Sequence, residues 1–301
     1  MKLSVIICTY NRADLLPDAI NSLAQQNLNH ADYEVVVVNN NSTDTTDQVC
    51  RKFAFENPDI NFRYFIELRQ GLSIARNRGI NESTGELVAF IDDDATADPD
   101  YARNILSAFG SYSDYDTMGG KVLPVYPENN EPDWMSKYIE GVVSKVDYGE
   151  NFSEFYSKKY PVGCNMIFRR SLFSLIGLFN EDLKFRSDDK YIFLKVREHG
   201  KRILYAPDIV VHHVIDKTRL NYGFIKKLCI QIGGTERVRL KSSISGLTAK
   251  FIEYLWKMTA AIIIALNFLA KGQKEKAVYL IKVRWFILTG FFKTVRYIKQ
   301  K

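Results

Sequence analysis

The chain has few cysteines, no run of apolar residues long enough to cross a bilayer, and none of the common phosphate-binding glycine motifs. Cys8, Cys50, Cys164 and Cys229 are widely spaced and form no C-x-x-C pair. That spacing argues against a zinc site or a disulfide framework and suits reduced thiols in the cytosol. Neither G-x-G-x-x-G nor G-x-x-x-x-G-K-[ST] occurs, which disfavours dinucleotide and P-loop sites. No repeat or low-complexity segment is visible. The apolar start, Leu3 to Ile7, is broken at once by Thr9-Tyr10-Asn11-Arg12, so it reads as a buried first strand and not as a secretory h-region.

What is present is a chain of 301 residues with 46% hydrophobic residues, enough for one large domain with an appendage or for two domains. Charge is distributed unevenly. Residues 217–301 hold 18 Lys/Arg against 3 Asp/Glu, a local charge of +15, whereas 1–216 hold 23 against 32, a local charge of −9. Such asymmetry suggests two jobs, with the basic tail meeting something anionic.

The first hundred residues alternate strand and helix. Apolar β-branched runs at 3–8, 34–38, 62–66 and 87–91 are separated by helical patterns at 14–26, 43–56 and 72–82. This spacing predicts βαβ units and a mostly parallel sheet covered on both faces. Three of the strands end in polar clusters: Thr9-Tyr10-Asn11, Asn39-Asn40-Asn41 and Asp92-Asp93-Asp94. Ligands of open α/β sheets sit beyond the carboxyl strand ends, so these clusters should share one rim. From 118 to 215 the pattern is mixed. It predicts strands at Lys121–Leu123, Asn165–Phe168, Ile203–Tyr205 and Ile209–Val211, and helices at Ser171–Ile176 and Asp189–His199. Residues 126–160, rich in Pro, Asn and aromatics, read as a long loop with a short helix around Trp134–Gly141; beyond Asp216 the chain reads as helical.

Asp92-Asp93-Asp94 is the strongest chemical signal. Adjacent carboxylates repel unless a cation neutralises them, and hard oxygen donors suit Mg²⁺ or Mn²⁺ shared with substrate phosphates. A bare acidic triplet is also compatible with a solvated turn; its place after a buried strand favours the metal. Asp188-Asp189 opens a helix, either as a cap or as a general base. Of His212-His213, at most one can face a given site, since neighbours in an extended strand point opposite ways. Arg76 offers a forked donor for a diphosphate or nucleobase.

Together, Ser4–Arg12, Val37–Asp44, Ala75–Gly79, Phe90–Asp94, Gly163–Arg169 and Asp188 to His212 closely resemble family 2 glycosyltransferases of the GT-A fold. The resemblance implies an α/β fold with a catalytic domain over 1–215, divided into a nucleotide-sugar half (1–117) and an acceptor half (118–215), followed by a basic amphipathic tail over 216–301. It implies that Thr9, Tyr10 and Arg12 line the nucleotide pocket, that Asn40 lies near the base, and that Arg76 lies near the base or diphosphate. Asp93 and Asp94 would be the ribose and metal contacts, with Asp92 the other acid of the D-x-D pattern. Asp189 would be the catalytic base of an inverting enzyme, His212 would approach the metal or diphosphate, and Asn165 would border the donor sugar or acceptor. Asn39 departs from the family's usual Asp, which bears on base specificity, and Asp188 stands where Glu is frequent.

The expected activity is transfer of a sugar from a nucleotide-diphosphate donor to a hydroxyl of a glycan or lipid-linked acceptor, in cell-surface or exopolysaccharide synthesis. Alternatives are a nucleotidyltransferase of related fold and a non-catalytic carbohydrate- or lipid-binding scaffold; the joint presence of Asp94, Asp189 and His212 argues against the scaffold. The tail's apolar run Met258–Ala270 has 13 residues, short of the roughly 20 needed to span a bilayer. Residues 278–298 mix Val, Ile, Phe and Leu with Lys282, Arg284, Lys293 and Arg296 like an interfacial helix. The tail is therefore expected to hold the protein peripherally on the inner face of the cell membrane, and its apolar interleaving disfavours nucleic acid.

Overall fold

Leu3–Thr9 (β1) is buried at every position but Cys8, which is partly so, as a strand covered on both faces must be. Leu16–Ala24 (α1) follows, burying Leu16, Ala19, Ile20 and Leu23 at helical spacing, with proline at its start where the missing N–H costs nothing. Tyr33–Asn39 (β2) is wholly buried. The series continues with Thr46–Glu56 (α2), Phe62–Ile66 (β3), Leu72–Glu82 (α3) and Leu87–Asp92 (β4). Ala95–Ala97 (β5), Tyr101–Ser111 (α4), Thr117–Val125 (β6), Ser153–Glu154 (β7), Met166–Arg169 (β8), Arg170–Ile176 (α5), Asp188–Glu198 (α6) and Leu204–Val214 (β9) complete this part. The computed structural model describes residues 1–156, 159–183 and 188–293.

The strand order is β3-β2-β1-β4-β8-β6-β9-β5, with β7 on β9. The first four strands are parallel, and the β4–β8, β8–β6, β9–β5 and β9–β7 pairs are antiparallel. Register sets the rim. Thr9 pairs with Asn39, and Cys8 pairs with both Val38 and Asp92, so the three polar clusters end in adjacent rows. At the opposite, amino end, buried Glu34 ties strands together: Ser4 Oγ donates at 2.6 Å, Thr84 Oγ1 at 2.8 Å and Arg63 Nη1 at 3.2 Å. Burial alone would raise the Glu34 pKa, but these hydrogen bonds outweigh it and lower the value.

Strands β5 and β7 are additional to those expected from the sequence, and three further elements differ. Helix α4, which buries Tyr101, Ala102, Ile105, Ala108 and Phe109, was not anticipated. The two short strands expected at 203–205 and 209–211 are one strand, β9. The helix expected at Trp134–Gly141 is replaced by turns and a 3₁₀ turn at Glu140–Val143.

Two compact units divide the chain: Met1–Pro124 with Val146–Val214, and Val125–Lys145 with Ile215–Lys301. Residues 125–145, assigned by sequence to the acceptor half, thus pack with the C-terminal helices. Those are Tyr222–Arg239 (α7), Ile244–Ala270 (α8) and Lys274–Phe292 (α9). The backbones of α7 and α9 approach so closely that a Cβ on Gly233 would lie 2.0 Å from the Ile287 carbonyl oxygen and one on Gly290 2.1 Å from that of Ile230. This unit has its own core, in which Trp134 stacks on Tyr279 at 4.5 Å beside Cys229, Leu280 and Val283. The 13-residue apolar run expected to stand alone lies inside the 27-residue α8, which by length and composition is sufficient to cross a membrane. Of the interfacial helix expected at 278–298, α9 supplies the part to Phe292; residues 294–298, Arg296 among them, lie outside the described residues.

Gly120 tests the packing of β6 on β9. A Cβ there would sit 1.8 Å from the Ile209 carbonyl oxygen, whereas one on Gly110 would meet nothing within 4 Å. Gly120→Ala should destabilise by about 1–3 kcal/mol or more through overpacking. Gly110→Ala, on a helix, should be neutral or slightly stabilising, as urea denaturation of both variants will measure.

Candidate active site at the carboxyl rim of the sheet

The loops after β1 and β2 are laced together before any ligand arrives. Asn11, at φ +52°, accepts the Thr43 N–H at 2.7 Å, and the Ala13 N–H donates to Asp44 Oδ2 at 3.0 Å. This lacing holds Tyr10 out on the surface, 49% exposed, and brings Arg12 back towards the acidic triplet. Arg12 Nη1 lies 3.4 Å from Asp94 Oδ2, and Asp94 is buried. Thr9 is buried too, and its hydroxyl is close enough to Asp93 to favour that carboxylate's charged form.

Strand β5 pairs with β9 so that Ala95 opposes His213 and Thr96 opposes His212. His213 faces the triplet: its Nε2 is 3.3 Å from Asp94 Oδ1, and both side chains are nearly inaccessible. His212 points the other way, half-exposed, with Nε2 4.0 Å from Asp98 Oδ2. The histidine brought to the acids is therefore His213, and the assignment of His212 is corrected. The reason is strand parity, and the signal was available: Ile209, Val211 and Ile215 are buried on the same alternation as His213.

Arg76 is a buried hub. Its Nη1 contacts Asp188, and its Nη2 lies 3.4 Å from Asp92 Oδ1 and 3.3 Å from the Gly163 carbonyl. The guanidinium also sits over Phe90 and Phe179, at 5.7 and 5.5 Å from the ring centres. A Cβ at residue 163 would fall 2.6 Å from Arg76 Nη2, so glycine is needed for close approach. Arg76 thereby joins the end of β4 to the start of α6, where Asp189 follows Asp188; the sequence reading had placed it against the nucleotide.

Two further sequence-derived residues are structural in their contacts. Asn40 donates to the Glu67 and Arg69 carbonyls at 3.2 and 2.7 Å and accepts the Gly71 N–H at 2.8 Å, so its whole amide brackets the loop before α3. Asn165, fully buried, donates to the Lys121 and Ile209 carbonyls at 3.0 and 2.9 Å, joining β6 to β9. Neither amide faces an open site. Asn39 is engaged in the same way, accepting from the Ser42 N–H and donating to Tyr64 Oη, each at 2.8 Å.

The acids themselves are electrostatically uncomfortable. Burial, reinforced by the Asp94 charge, pushes the Asp93 pKa up to about 7. Burial raises Asp92 as well, against the opposing pull of Arg76 and with the Asp94 charge adding to the rise. Asp189 is raised to about 6 by burial and by Asp188, while accepting the Lys190 N–H at 2.6 Å. Burial drives the Cys8 thiol to about 12 and Cys164 well above its usual value, so both stay neutral beside the rim.

A divalent cation fits this donor set. Buried Asp94 offers hard oxygen and His213 a ring nitrogen, while the raised pKa values of Asp92 and Asp93 register negative charge that a cation would relieve. Among the described residues no group of three or more His, Cys, Asp or Glu surrounds one point, so diphosphate and water would complete the coordination.

A parallel sheet with antiparallel strands added at one side and an acid-lined carboxyl rim is the GT-A type of fold. The chain belongs to glycosyl transferase family 2, whose model matches residues 4–177, and it is a glycosyltransferase. It is 35% identical over 212 residues to glycosyltransferase AglE of Haloferax volcanii, covering 70% of this chain and 66% of that protein. Glucosyl-dolichyl phosphate glucuronosyltransferase of the same organism is 26% identical over 250 residues, covering 79% of this chain and 77% of its own. The mannosyltransferase PcManGT of Pyrobaculum calidifontis, solved with GDP-Man and Mn²⁺, superposes with a TM-score of 0.64 at 20% identity, over 95% of this chain and 87% of that one.

Removing Arg76 should leave Asp188 buried without its cation. Arg76→Met is expected to destabilise by about 3–5 kcal/mol. Combining it with Asp188→Asn, which removes the orphaned charge, should recover part of that loss in chemical denaturation. No recovery would mean that Arg76 acts through packing on Phe90 and Phe179 alone.

Proposed function

We propose that the protein transfers a sugar from a nucleotide-diphosphate donor, with inversion, to a hydroxyl of a glycan or lipid-linked acceptor in cell-surface or exopolysaccharide synthesis. The observation that carries this reading is Asp189: a half-buried carboxylate at the start of α6, with its pKa raised towards neutrality, next to the Asp188 that Arg76 ties to the acidic rim. A base poised near the working pH is what removal of a hydroxyl proton requires. The name of the dolichyl phosphate relative supports a lipid-linked acceptor.

In this scheme the nucleotide lies over the laced β1 and β2 loops, against Thr9, Tyr10 and Arg12, with Asp93 towards the ribose. Asp94 and His213 would hold the Mg²⁺ or Mn²⁺, in keeping with the Mn²⁺ of PcManGT, and would thereby supply positive charge to offset that of the departing diphosphate. Arg12 adds a second positive charge beside Asp94. Asp189 takes the proton as the acceptor oxygen attacks C1 and the C1–O bond to the diphosphate breaks. Arg76 positions Asp189 through Asp188 and keeps Asp92 from repelling the anionic substrate. Asn40 and Asn165 act behind this surface, holding the loop before α3 and the β6–β9 seam. The protein works on the cytoplasmic side, peripheral to the membrane, through its basic helical unit.

With a panel of UDP-, GDP- and dTDP-sugars, turnover should release a nucleoside diphosphate; release of pyrophosphate would instead identify a nucleotidyltransferase. Asp189→Asn should lower turnover by about 10²–10⁴-fold with nucleotide binding unchanged. Because the ionised carboxylate is the active form, kcat should fall as pH drops through about 6. A flat profile from pH 5 to 8 (roughly a unit or more either side of that value) would remove Asp189 from the role of base.

The two histidines should separate cleanly. His213→Ala is expected to weaken Mn²⁺-dependent nucleotide binding at least about tenfold, and His212→Ala to leave it nearly unchanged. Calorimetry in the presence and absence of Mn²⁺ reads both.

A further inference from the structure

We infer that the outward face of α8 is a membrane-docking surface, lying flat in the interface of an anionic bilayer and not crossing it. This rests on the peripheral-membrane reading above and gives it a residue-level surface. Ile252, Leu255, Trp256, Ile263, Leu266 and Leu269 are all exposed by 45% or more. At about 100° per residue they occupy one stripe of about 140° running along the helix. The opposite side, with Tyr254, Ala261 and Ala265 buried, is already packed within the unit, and Tyr254 meets Phe291 of α9 edge-on at 5.3 Å. The stripe is therefore a second apolar face, apart from the one that folds the helix.

Charge identifies the occupant. Lys250, Glu253, Lys257 and Lys271 all fall on the side of the helix away from the stripe, within a sector of about 60°, so the stripe itself is uncharged, while residues 217–301 carry a local charge of +15. An uncharged apolar stripe on a strongly basic segment matches acyl chains beneath anionic headgroups. Trp256, 73% exposed, has the amphipathic ring that settles at headgroup depth.

The same charges decide the orientation. Lys257 lies near the middle of α8, with its Nζ 2.7 Å from Glu253. A spanning helix would carry that pair into hydrocarbon, and α8 would also have to leave α9. Lying in the plane keeps that pair, on the side away from the stripe, out of the hydrocarbon and leaves the packed side on the protein.

The test uses the full chain with phosphatidylcholine vesicles, with or without 30% phosphatidylglycerol (about one anionic lipid in three, a strongly negative surface). Co-sedimentation should require the anionic lipid and weaken with salt. Ile263→Glu/Leu266→Glu, at exposed positions, should keep its circular dichroism spectrum and lose binding at least about tenfold. Quenching assigned to Trp256 by difference from Trp256→Phe should come from lipids brominated near the headgroup. Quenching mainly by lipids brominated near the chain ends would mean a spanning helix and overturn the orientation. Vesicle binding unaffected by the double variant would overturn the surface. So would a wild-type dimer in sedimentation velocity that the variant dissolves, since the occupant would then be a second copy. Nucleoside diphosphate release is measured in solution on the same proteins, so loss of vesicle binding with release intact overturns this inference alone.

Discussion

A guanidinium buried between two carboxylates is the constraint around which the rim is arranged. Arg76 reaches Asp92 at the end of β4 and Asp188 at the start of α6, two segments far apart in sequence. Without that cation, Asp92 and the Asp188-Asp189 pair would be uncompensated negative charge in a poorly solvated place, since Arg12 reaches only Asp94. With it, they can be held near one another in the folded chain before substrate binds. The cost is local: Gly163 must lack a side chain, and Phe90 and Phe179 must present their faces to the guanidinium. Folding and the juxtaposition of the acids thus depend on the same residue.

The two ends of the sheet treat their carboxylates in opposite ways. At the amino end, Glu34 accepts hydrogen bonds from Ser4, Thr84 and Arg63, and its pKa is lowered despite burial. At the carboxyl end, Asp93 and Asp189 are raised to about 7 and about 6, burial being the leading cause in each. A carboxylate that only holds strands together is best saturated with donors. One that must meet a cation or take up a proton has to keep some of its affinity in reserve, and a raised pKa registers that reserve. The contrast within one sheet supports a chemical role for the rim acids beyond architecture.

Much of this was legible in the chain itself. Continuous apolar runs gave β1, β2 and β4, and the polar residues ending them share a rim because parallel strands in register end together. Being in a motif does not by itself say whether a residue touches a ligand or holds the frame around it. Asn40 and Asn165 stand among the residues that carry the family resemblance, yet their amides hold a loop and a strand seam. A buried amide that satisfies backbone groups is as tightly constrained as one that binds substrate, and sequence does not separate the two. His213 is different: its face could be read from Ile209, Val211 and Ile215, but only once residues 209–215 are taken as one alternating run. Splitting β9 into short pieces removes the phase reference, and the resemblance alone then puts His212 at the metal. Helix α4 was missed as well, although its buried positions, Tyr101, Ala102, Ile105, Ala108 and Phe109, follow helical spacing.

The C-terminal helices fail in another way. Counting uninterrupted apolar residues stopped at Lys257 and made α8 look like half a helix. Helical periodicity places Lys250, Glu253 and Lys257 together on one side, so they interrupt the run without interrupting the apolar stripe. Glu253 bonds to both lysines, and Lys250 also pairs with buried Glu236 of α7, so part of this charge belongs to the internal fastening of the unit. The charged side therefore helps to fasten α8, through Lys250, to α7 and leaves the exposed apolar face uninterrupted. A linear hydropathy count averages over both sides of the helix and detects neither.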